Sequence, residues 1–139
     1  MFAPLPHGYQ LRVDTEPVTV LIADDEEDMR TLVRVILAQA NVKVVAEAID
    51  GTEALETIAR LDPPPVPTAL ILDNRMPGMS GLDVAALVLE KTPDQPIVLF
   101  SAFLTDAIEQ QAKDIGIRAC VSKSDINKLP KVIADLTPA

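Results

Sequence analysis

Five short apolar runs alternate along the chain with segments whose apolar residues recur every three or four positions. The runs are Val18 to Ala23, Lys43 to Ala48, Ala69 to Leu72, Ile97 to Ser101 and Ala119 to Ser122. Apolar residues on successive positions favour strands covered on both faces, because a half-exposed strand would alternate with polar residues. Strands that alternate with helices favour a parallel sheet. We therefore predict an α/β fold: a (βα)5 doubly wound five-stranded parallel sheet with helices on both faces.

The segments between the runs carry helical apolar stripes. In the first segment, Met29, Leu32, Val33, Ile36 and Leu37 follow the i, i+3, i+4, i+7 spacing that buries one helix face. The other predicted helices are helix two from about Thr52 to Leu61, helix three after Ser80 with Val84, Leu87 and Val88 inward, helix four from Thr105 or Asp106 to Gly116, and helix five after Ser124 or Asp125. The proline-rich stretch from Asp62 to Thr68 predicts a surface loop, since proline lacks an amide donor.

Length and composition indicate one domain. The chain has 139 residues, with 48% hydrophobic but only 3% aromatic residues, so its core must be aliphatic. We predict a domain over residues 18–139 and a flexible extension over residues 1–17. That extension contains Pro4, Pro6 and Gly8 and lacks the continuous apolar segment of a signal peptide.

Charge and cysteine content exclude several classes of function. The formal net charge of -9 opposes direct binding to nucleic acid, because the phosphate backbone is also negative. The longest apolar run is too short to cross a membrane. Cys120 is the single cysteine of the sequence, which excludes an internal disulfide and a cysteine-based zinc site. A protein without disulfides is compatible with a reducing compartment, so we expect a cytoplasmic location.

Chemically active side chains follow the predicted strands. Asp24 and Asp25 follow the first strand, Asp73 follows the third, Ser101 ends the fourth and Lys123 follows the fifth. Sites in open parallel sheets form beyond the carboxyl ends of the strands, so we expect these side chains to meet. Carboxylates at about 4 Å repel by about 4 kcal/mol per pair at an effective dielectric of about 20, which favours a bound cation. Mg²⁺ is usually bound by one or two carboxylates and keeps its other coordination positions for water and phosphate, so it is the cation that we expect here.

This cluster suits phosphoryl transfer. Asp73 can act as a carboxylate nucleophile, while Lys123 and the metal neutralise the charge of the phosphoryl group. Ser101 can donate a hydrogen bond to a phosphoryl oxygen. Glu26 directly follows Asp25 in the sequence. We interpret Glu26, Glu27 and Asp28 as ordinary negative charges at the start of helix one.

Several segments together resemble the receiver domain of response regulators in two-component systems. They are Val20-Leu21-Ile22-Ala23-Asp24-Asp25, Asp50-Gly51-Thr52-Glu53-Ala54-Leu55, Leu72-Asp73-Asn74-Arg75-Met76-Pro77-Gly78-Met79-Ser80-Gly81, Ser101-Ala102 and Lys123. The resemblance implies a flavodoxin-like sheet with strand order 2-1-3-4-5. It implies that Asp73 is the phosphoacceptor, Asp25 a direct Mg²⁺ ligand, Asp24 a ligand largely through water, and the Arg75 backbone carbonyl a further ligand.

The same resemblance implies partners and output. A histidine kinase or histidine phosphotransfer protein would supply the phosphoryl group, and the chain would catalyse transfer to its own aspartate and later hydrolysis, without being a turnover enzyme. Signalling would use a surface of helix four, strand five and helix five. The output would be a downstream protein or a missing effector domain, with a possible homodimer on phosphorylation.

Three features differ from the commonest family pattern: Cys120, Ser124, and the pair Arg75 and Phe103. Ser124 follows Lys123 where the family often has a cis proline, so we expect a trans peptide and a differently shaped loop after strand five. Cys120 stands three residues before Lys123, where the family usually has Tyr or Phe, so aromatic coupling to the switch is not expected here. Arg75 and Phe103 lie two residues after Asp73 and Ser101, beside the path of the attacking water. Our hypothesis is that this bulky pair shields the phosphoryl group and lengthens its lifetime.

Three other classes of protein share parts of this pattern. A receiver-like interaction module that is never phosphorylated would keep the fold and signal by contacts alone. A phosphohydrolase with an aspartyl-phosphate intermediate would normally need an acidic residue where Arg75 stands. A flavin carrier would need a phosphate-binding loop after the first strand, where Asp24 and Asp25 would repel phosphate.

Overall fold

A computed structural model of the chain describes residues 18–61 and 67–137. The predicted extension over residues 1–17 and most of the predicted proline-rich loop, residues 62–66, lie outside the described residues. The elements, in chain order, are β1 Val18–Ala23, α1 Glu27–Gln39, β2 Val42–Ala48, α2 Gly51–Arg60, β3 Ala69–Leu72, α3 Gly81–Lys91, β4 Ile97–Ser101, α4 Asp106–Ile115, β5 Ala119–Ser122, a 3-10 helix Lys123–Lys128, and α5 Leu129–Leu136. Within this part of the chain, no helix is both long and apolar enough to cross a bilayer.

The strands form one parallel sheet in the order β2-β1-β3-β4-β5. The predicted fold class and strand order are thereby confirmed. One apolar layer joins the sheet to α1 and α5, and includes Ile22, Leu37 and Ile133. A second layer joins the opposite face to α2, α3 and α4, and includes Leu72 and Ala112. Both faces of the central strands are therefore buried, as their unbroken apolar runs predict.

An irregularity in the outer strand β2 changes which face its side chains occupy. The register of β1 with β2 shifts between Val20 and Leu21, so Val45 has no direct partner. Before the shift, Val44 packs in the layer of α1 and α5. After it, Ala46 packs in the opposite layer, which turns Glu47 toward α1. A bulge of this kind redirects side chains without ending the strand.

Two residues predicted to be buried are exposed. Leu32 in α1 and Leu87 in α3 each retain 45% of their accessible surface. Leu32 lies one residue, about 100° around the helix, from the buried Val33, so it falls at the edge of the apolar stripe. Leu87 lies at the edge of the stripe centred on Val84 and Val88 in the same way. Both helices bury a narrower face than the sequence predicts.

The predicted start of helix five is wrong. The residues after Ser124 form the 3-10 helix, in which Asp125 has non-helical backbone angles. The α-helix begins at Leu129, which places Pro130 in its first turn. Proline is tolerated there because the first amides of a helix have no acceptor within it.

The start of α3 holds the loop that follows β3. Ser80 and Asp83 form a capping box, in which each side chain accepts a hydrogen bond from the backbone amide of the other residue. The amide of Gly81 donates to the carbonyl of Asn74 at 3.1 Å. A Cβ at Gly81 would lie 2.3 Å from the carbonyl oxygen of Asp73, so glycine permits this close approach.

We expect Gly81→Ala to destabilise the protein by about 1 to 3 kcal/mol, because the added methyl group forces backbone apart at Asp73. The matched control is Gly78→Ala, where φ is +76° but a Cβ would meet nothing within 4 Å. That control loses about 1 kcal/mol through backbone strain alone. Urea unfolding monitored by circular dichroism measures both; equal losses would contradict the steric argument.

Candidate functional site

The ends of β1 and β3 place two aspartates side by side. The amide of Asp73 donates to the carbonyl of Ala23 at 2.9 Å, and the amide of Asp24 donates to the carbonyl of Ala48 at 3.0 Å. These bonds continue the parallel ladder one residue beyond the strands. As a result, the two side chains emerge at the same edge of the sheet, as predicted from the strand order.

Asp24, Asp25 and Asp73 form a carboxylate cluster. One oxygen atom from each lies within 4.8 Å of the others. Asp24 and Asp73 are buried, with 1% and 4% exposure, whereas Asp25 is exposed. An arrangement of carboxylates that is open on one side suits a hard divalent cation that keeps some of its water.

The Lys123 ammonium contacts the cluster. Its Nζ lies 2.9 Å from Asp73 Oδ2 and 2.9 Å from Asp24 Oδ2. A third carboxylate, Glu26, accepts a hydrogen bond from the same Nζ at 3.0 Å. Glu26 keeps 62% of its side-chain surface exposed, whereas the Lys123 side chain keeps 9%. The interpretation of Glu26 as a helix-start charge alone was therefore incomplete, since this residue also pairs with Lys123.

Burial and charge shift two pKa values at this site. Burial raises the pKa of the Asp24 carboxyl above its ordinary value, although the adjacent Lys123 ammonium opposes that rise. Burial alone would lower the pKa of Lys123, but its contacts with Asp24, Asp73 and Glu26 raise that pKa above the ordinary value. Lys123 therefore stays charged, and its ammonium partly offsets the cost of burying two carboxylates.

Two buried polar atoms at this edge lack a hydrogen-bond partner among the described residues. They are Ser101 Oγ and Asp24 Oδ2. The second lies within ion-pair distance of Lys123, but not at an angle that makes a hydrogen bond. Burying a polar atom without a partner costs free energy, so both atoms are suited to a ligand. A cation fits the carboxylate oxygen, and a phosphoryl oxygen fits the hydroxyl.

A pocket of about 250 Å³ opens beside the cluster. It is lined by Asp25, Glu26, Asp73, Arg75, Ser101, Ala102, Phe103 and Lys123. The predicted residues Asp73, Ser101 and Lys123, which belong to three different strands or strand ends, therefore share one cavity.

Arg75 and Phe103 form one wall of the pocket. The Arg75 guanidinium carbon lies 4.6 Å from the centroid of the Phe103 ring, the geometry of a cation–π contact. Phe103 is 61% exposed, so this wall faces solvent. The Arg75 amide also donates to Asp73 Oδ1 at 3.3 Å. The two side chains predicted to flank Asp73 and Ser101 do contact each other at the pocket mouth.

Cys120 lies away from this pocket. It is half-buried in β5 and packs on the layer that contains α4. Burial and the nearby Glu109 raise the pKa of its thiol. A neutral thiol in an apolar setting is a packing residue and a poor nucleophile.

The doubly wound parallel sheet and its acidic edge define a class of α/β proteins, and similarity to known proteins identifies the family. The sequence model of the response regulator receiver domain matches residues 20–134. The chain therefore belongs to the response regulator receiver domain family of two-component systems.

Relatives cover this chain to different extents. The chain is 35% identical over 104 residues to the chemotaxis protein CheY of Listeria monocytogenes. The alignment covers 71% of this chain and 84% of CheY. It is 36% identical over 123 residues to the transcriptional regulatory protein PdtaR of Mycobacterium tuberculosis, which covers 88% of this chain but only 55% of PdtaR.

Solved structures agree with the fold. The signal receiver domain of the response regulator NarL from Mycobacterium tuberculosis is similar with a TM-score of 0.73 and 36% identity, covering 86% of this chain and 98% of that one. The response regulator domain of Thermotoga maritima CheB is similar with a TM-score of 0.77 and 25% identity, covering 87% and 96%.

We expect Lys123→Ala to lower the free energy of unfolding by about 3 to 5 kcal/mol, because it leaves two buried carboxylates without a cation. Urea unfolding at pH 7 with EDTA measures this loss. The control is Lys128→Ala, which removes an exposed ion pair of 3.8 Å with Asp125. That change costs less than about 1 kcal/mol. Similar losses for both variants would contradict a structural role for the Lys123 ammonium.

Proposed function

We propose that the chain is a phosphorylation-activated switch in which Asp73 accepts a phosphoryl group. The observation that supports this most directly is the pairing of the buried Asp73 carboxylate with Lys123 at 2.9 Å. The same pocket contains the Ser101 hydroxyl, which has no hydrogen-bond partner within residues 18–61 and 67–137. A nucleophile, a cation and a hydrogen-bond donor in one cavity are the groups that phosphoryl transfer requires.

The proposed donor is the phosphohistidine of a histidine kinase or a histidine phosphotransfer protein. A carboxylate oxygen of Asp73 attacks phosphorus, the bond between phosphorus and the imidazole nitrogen breaks, and its electron pair returns to the ring nitrogen. In the later hydrolysis, water attacks phosphorus and the Asp73 carboxylate leaves. The chain thus catalyses two steps on its own aspartate, which does not make it a turnover enzyme.

The carboxylate cluster fits Mg²⁺. The proposed ligands are the carboxylates of Asp25 and Asp73, Asp24 largely through water, and the backbone carbonyl of Arg75. Bound Mg²⁺ would supply positive charge to the oxygens of the transferring phosphoryl group. Lys123, which directly follows β5, supplies a second positive charge beside Asp73. The Ser101 hydroxyl donates a hydrogen bond to the phosphoryl group.

The proposed output is a change of shape in α4, β5 and α5. A dianion on Asp73 attracts Ser101 and Lys123, each of which lies at the end of a strand beside this surface. Because Cys120 packs on the α4 layer and carries no ring, we propose that coupling passes through Ser101 and Lys123 without an aromatic rotation. The proposed targets are a downstream protein, an effector domain, or a second copy that dimerises on phosphorylation.

The functional unit is proposed to be residues 18–139, preceded by an extension over residues 1–17, in the cytoplasm. The match to PdtaR spans 55% of that protein, so the activity of a whole relative does not transfer to this chain. Direct nucleic-acid binding is not proposed, given the net charge of -9. A receiver-like module that is never phosphorylated is the alternative, and the following experiment separates the two.

Phosphorylation of Asp73 is tested with acetyl phosphate and Mg²⁺. We expect the intact mass to rise by one phosphoryl group per chain. The pocket provides the Asp73 nucleophile and the Lys123 ammonium, and the added Mg²⁺ provides the second positive charge. Asp73→Asn abolishes this gain in mass, since a neutral side-chain amide is a much poorer nucleophile than a carboxylate. Beryllofluoride with Mg²⁺ is expected to shift the amide NMR signals of α4 and β5 in the unmodified protein.

The matched control is Asp94→Asn, which removes the same charge from an exposed position. This variant is expected to be modified like the parent protein. Failure of the parent to gain mass, together with no response to beryllofluoride, would favour the module that is never phosphorylated.

Shielding by Arg75 and Phe103 is a separate prediction. Replacing both residues by Ala opens the wall of the pocket to water. We expect dephosphorylation to accelerate about two- to fivefold, the equivalent of one exposed cation–π contact of about 0.5 to 1 kcal/mol. The decay of the phosphorylated mass after removal of acetyl phosphate measures the rate. Arg118→Ala, before β5 at the opposite edge of the sheet, is the control, and an unchanged rate in the double variant would refute shielding.

A further inference from the structure

Arg30 in α1 connects the helix to the backbone of the acidic site. Its Nη1 donates to the backbone carbonyl of Asp24 at 2.8 Å. Its Nε donates to Glu47 Oε1 at 3.0 Å. The Arg30 side chain is 13% exposed and that of Glu47 30%, so the pair is largely shielded from water.

The bulge in β2 makes this connection possible. Because the register shifts between Val20 and Leu21, Glu47 faces α1. In an uninterrupted strand, Glu47 would share a face with Lys43 and point away from the layer of Val42 and Val44. The bulge therefore positions a carboxylate that orients the Arg30 guanidinium toward Asp24.

The rest of Asp24 is held as firmly. Its amide donates to Ala48, and its side-chain Oδ1 accepts from the amide of Glu26 at 2.9 Å. With Arg30 on the carbonyl, the backbone and one carboxylate oxygen all have fixed partners. The remaining oxygen, Oδ2, accepts no hydrogen bond from the part of the chain that the structure describes, and it lies 2.9 Å from Lys123 Nζ.

We propose that Arg30, oriented by Glu47, is a positioning residue that fixes the Asp24–Asp25 turn for the divalent cation. The inference rests on the proposed Mg²⁺-dependent function but assigns a role to residues outside the pocket. Arg30 acts through the backbone of Asp24 and contacts neither metal nor phosphoryl group. Groups that orient metal ligands typically change metal affinity by about 10- to 100-fold when removed.

The sign of the effect separates positioning from simple electrostatics. Arg30→Met removes a positive charge next to a cation site, so Coulomb interactions alone predict tighter Mg²⁺ binding. Loss of positioning predicts weaker binding. Methionine keeps an unbranched apolar stem of similar length, so the packing of α1 is largely retained.

The experiment is an NMR titration with MgCl2, in which amide shifts at the sheet edge report the Kd. We expect Arg30→Met to weaken Mg²⁺ binding about tenfold. The control is Arg34→Met, because Arg34 also pairs with Glu47 but makes no contact with Asp24. This control loses the same charge and is expected to bind Mg²⁺ within about twofold of the parent, or slightly more tightly.

Arg30→Lys provides a second test that keeps the positive charge, so Coulomb interactions alone predict unchanged Mg²⁺ binding. A lysine lacks the planar fork by which Arg30 donates to both Glu47 and the Asp24 carbonyl, so we expect a loss of Mg²⁺ affinity that is smaller than in Arg30→Met. The inference therefore stays testable even where Arg30→Met fails to fold. Unchanged or tighter binding in Arg30→Met or in Arg30→Lys would overturn it, as would an equal loss in Arg34→Met. A parent protein that binds no Mg²⁺ would overturn the proposed function as well, whereas normal binding by both parent and Arg30→Met overturns the positioning role alone.

Discussion

The arrangement of this domain depends on one ammonium group among three carboxylates. Asp24 and Asp73 are buried at adjacent strand ends, where their charges repel each other and have lost most of their water. Lys123 extends toward them from the end of β5, and its Nζ lies 2.9 Å from one carboxylate oxygen of each. Because β5 lies two strands away from β3 in the sheet, this contact also fixes the position of the strand end that leads into the last helices.

Much of the fold serves to keep that edge in place. The parallel ladder aligns β1 with β3, and Gly81 lets α3 approach the Asp73 carbonyl where any side chain would collide with it. On the other side, the bulge in β2 turns Glu47 toward Arg30, which donates to the Asp24 carbonyl. The two acidic loops are thus braced independently, one by a helix start and the other by an ion pair.

Sequence alone predicts the strands and the meeting of Asp24, Asp73, Ser101 and Lys123, because successive apolar residues and parallel topology leave few alternatives. It does not predict the bulge, since nothing in Val44-Val45 distinguishes a bulged strand from a regular one. The role of Glu26 and the Arg30–Glu47 pair were missed for a related reason: each contact joins elements whose relative rotation depends on packing. The exposure of Leu32 and the late start of α5 reflect stripe width and local turn geometry, which periodicity does not resolve.

The energetics of the cluster favour a functional origin over a structural one. Buried ion pairs contribute little net stability, and well-packed apolar residues of similar volume often stabilise a fold more. Here burial raises the pKa of Asp24 despite the adjacent Lys123, and Ser101 has no hydrogen-bond partner among the described residues. A domain selected for stability alone would gain by replacing these groups with aliphatic residues, which already make up the rest of its core. Their presence fits ligand binding, in which a cation contacts the carboxylates and a hydrogen-bond acceptor contacts the Ser101 hydroxyl.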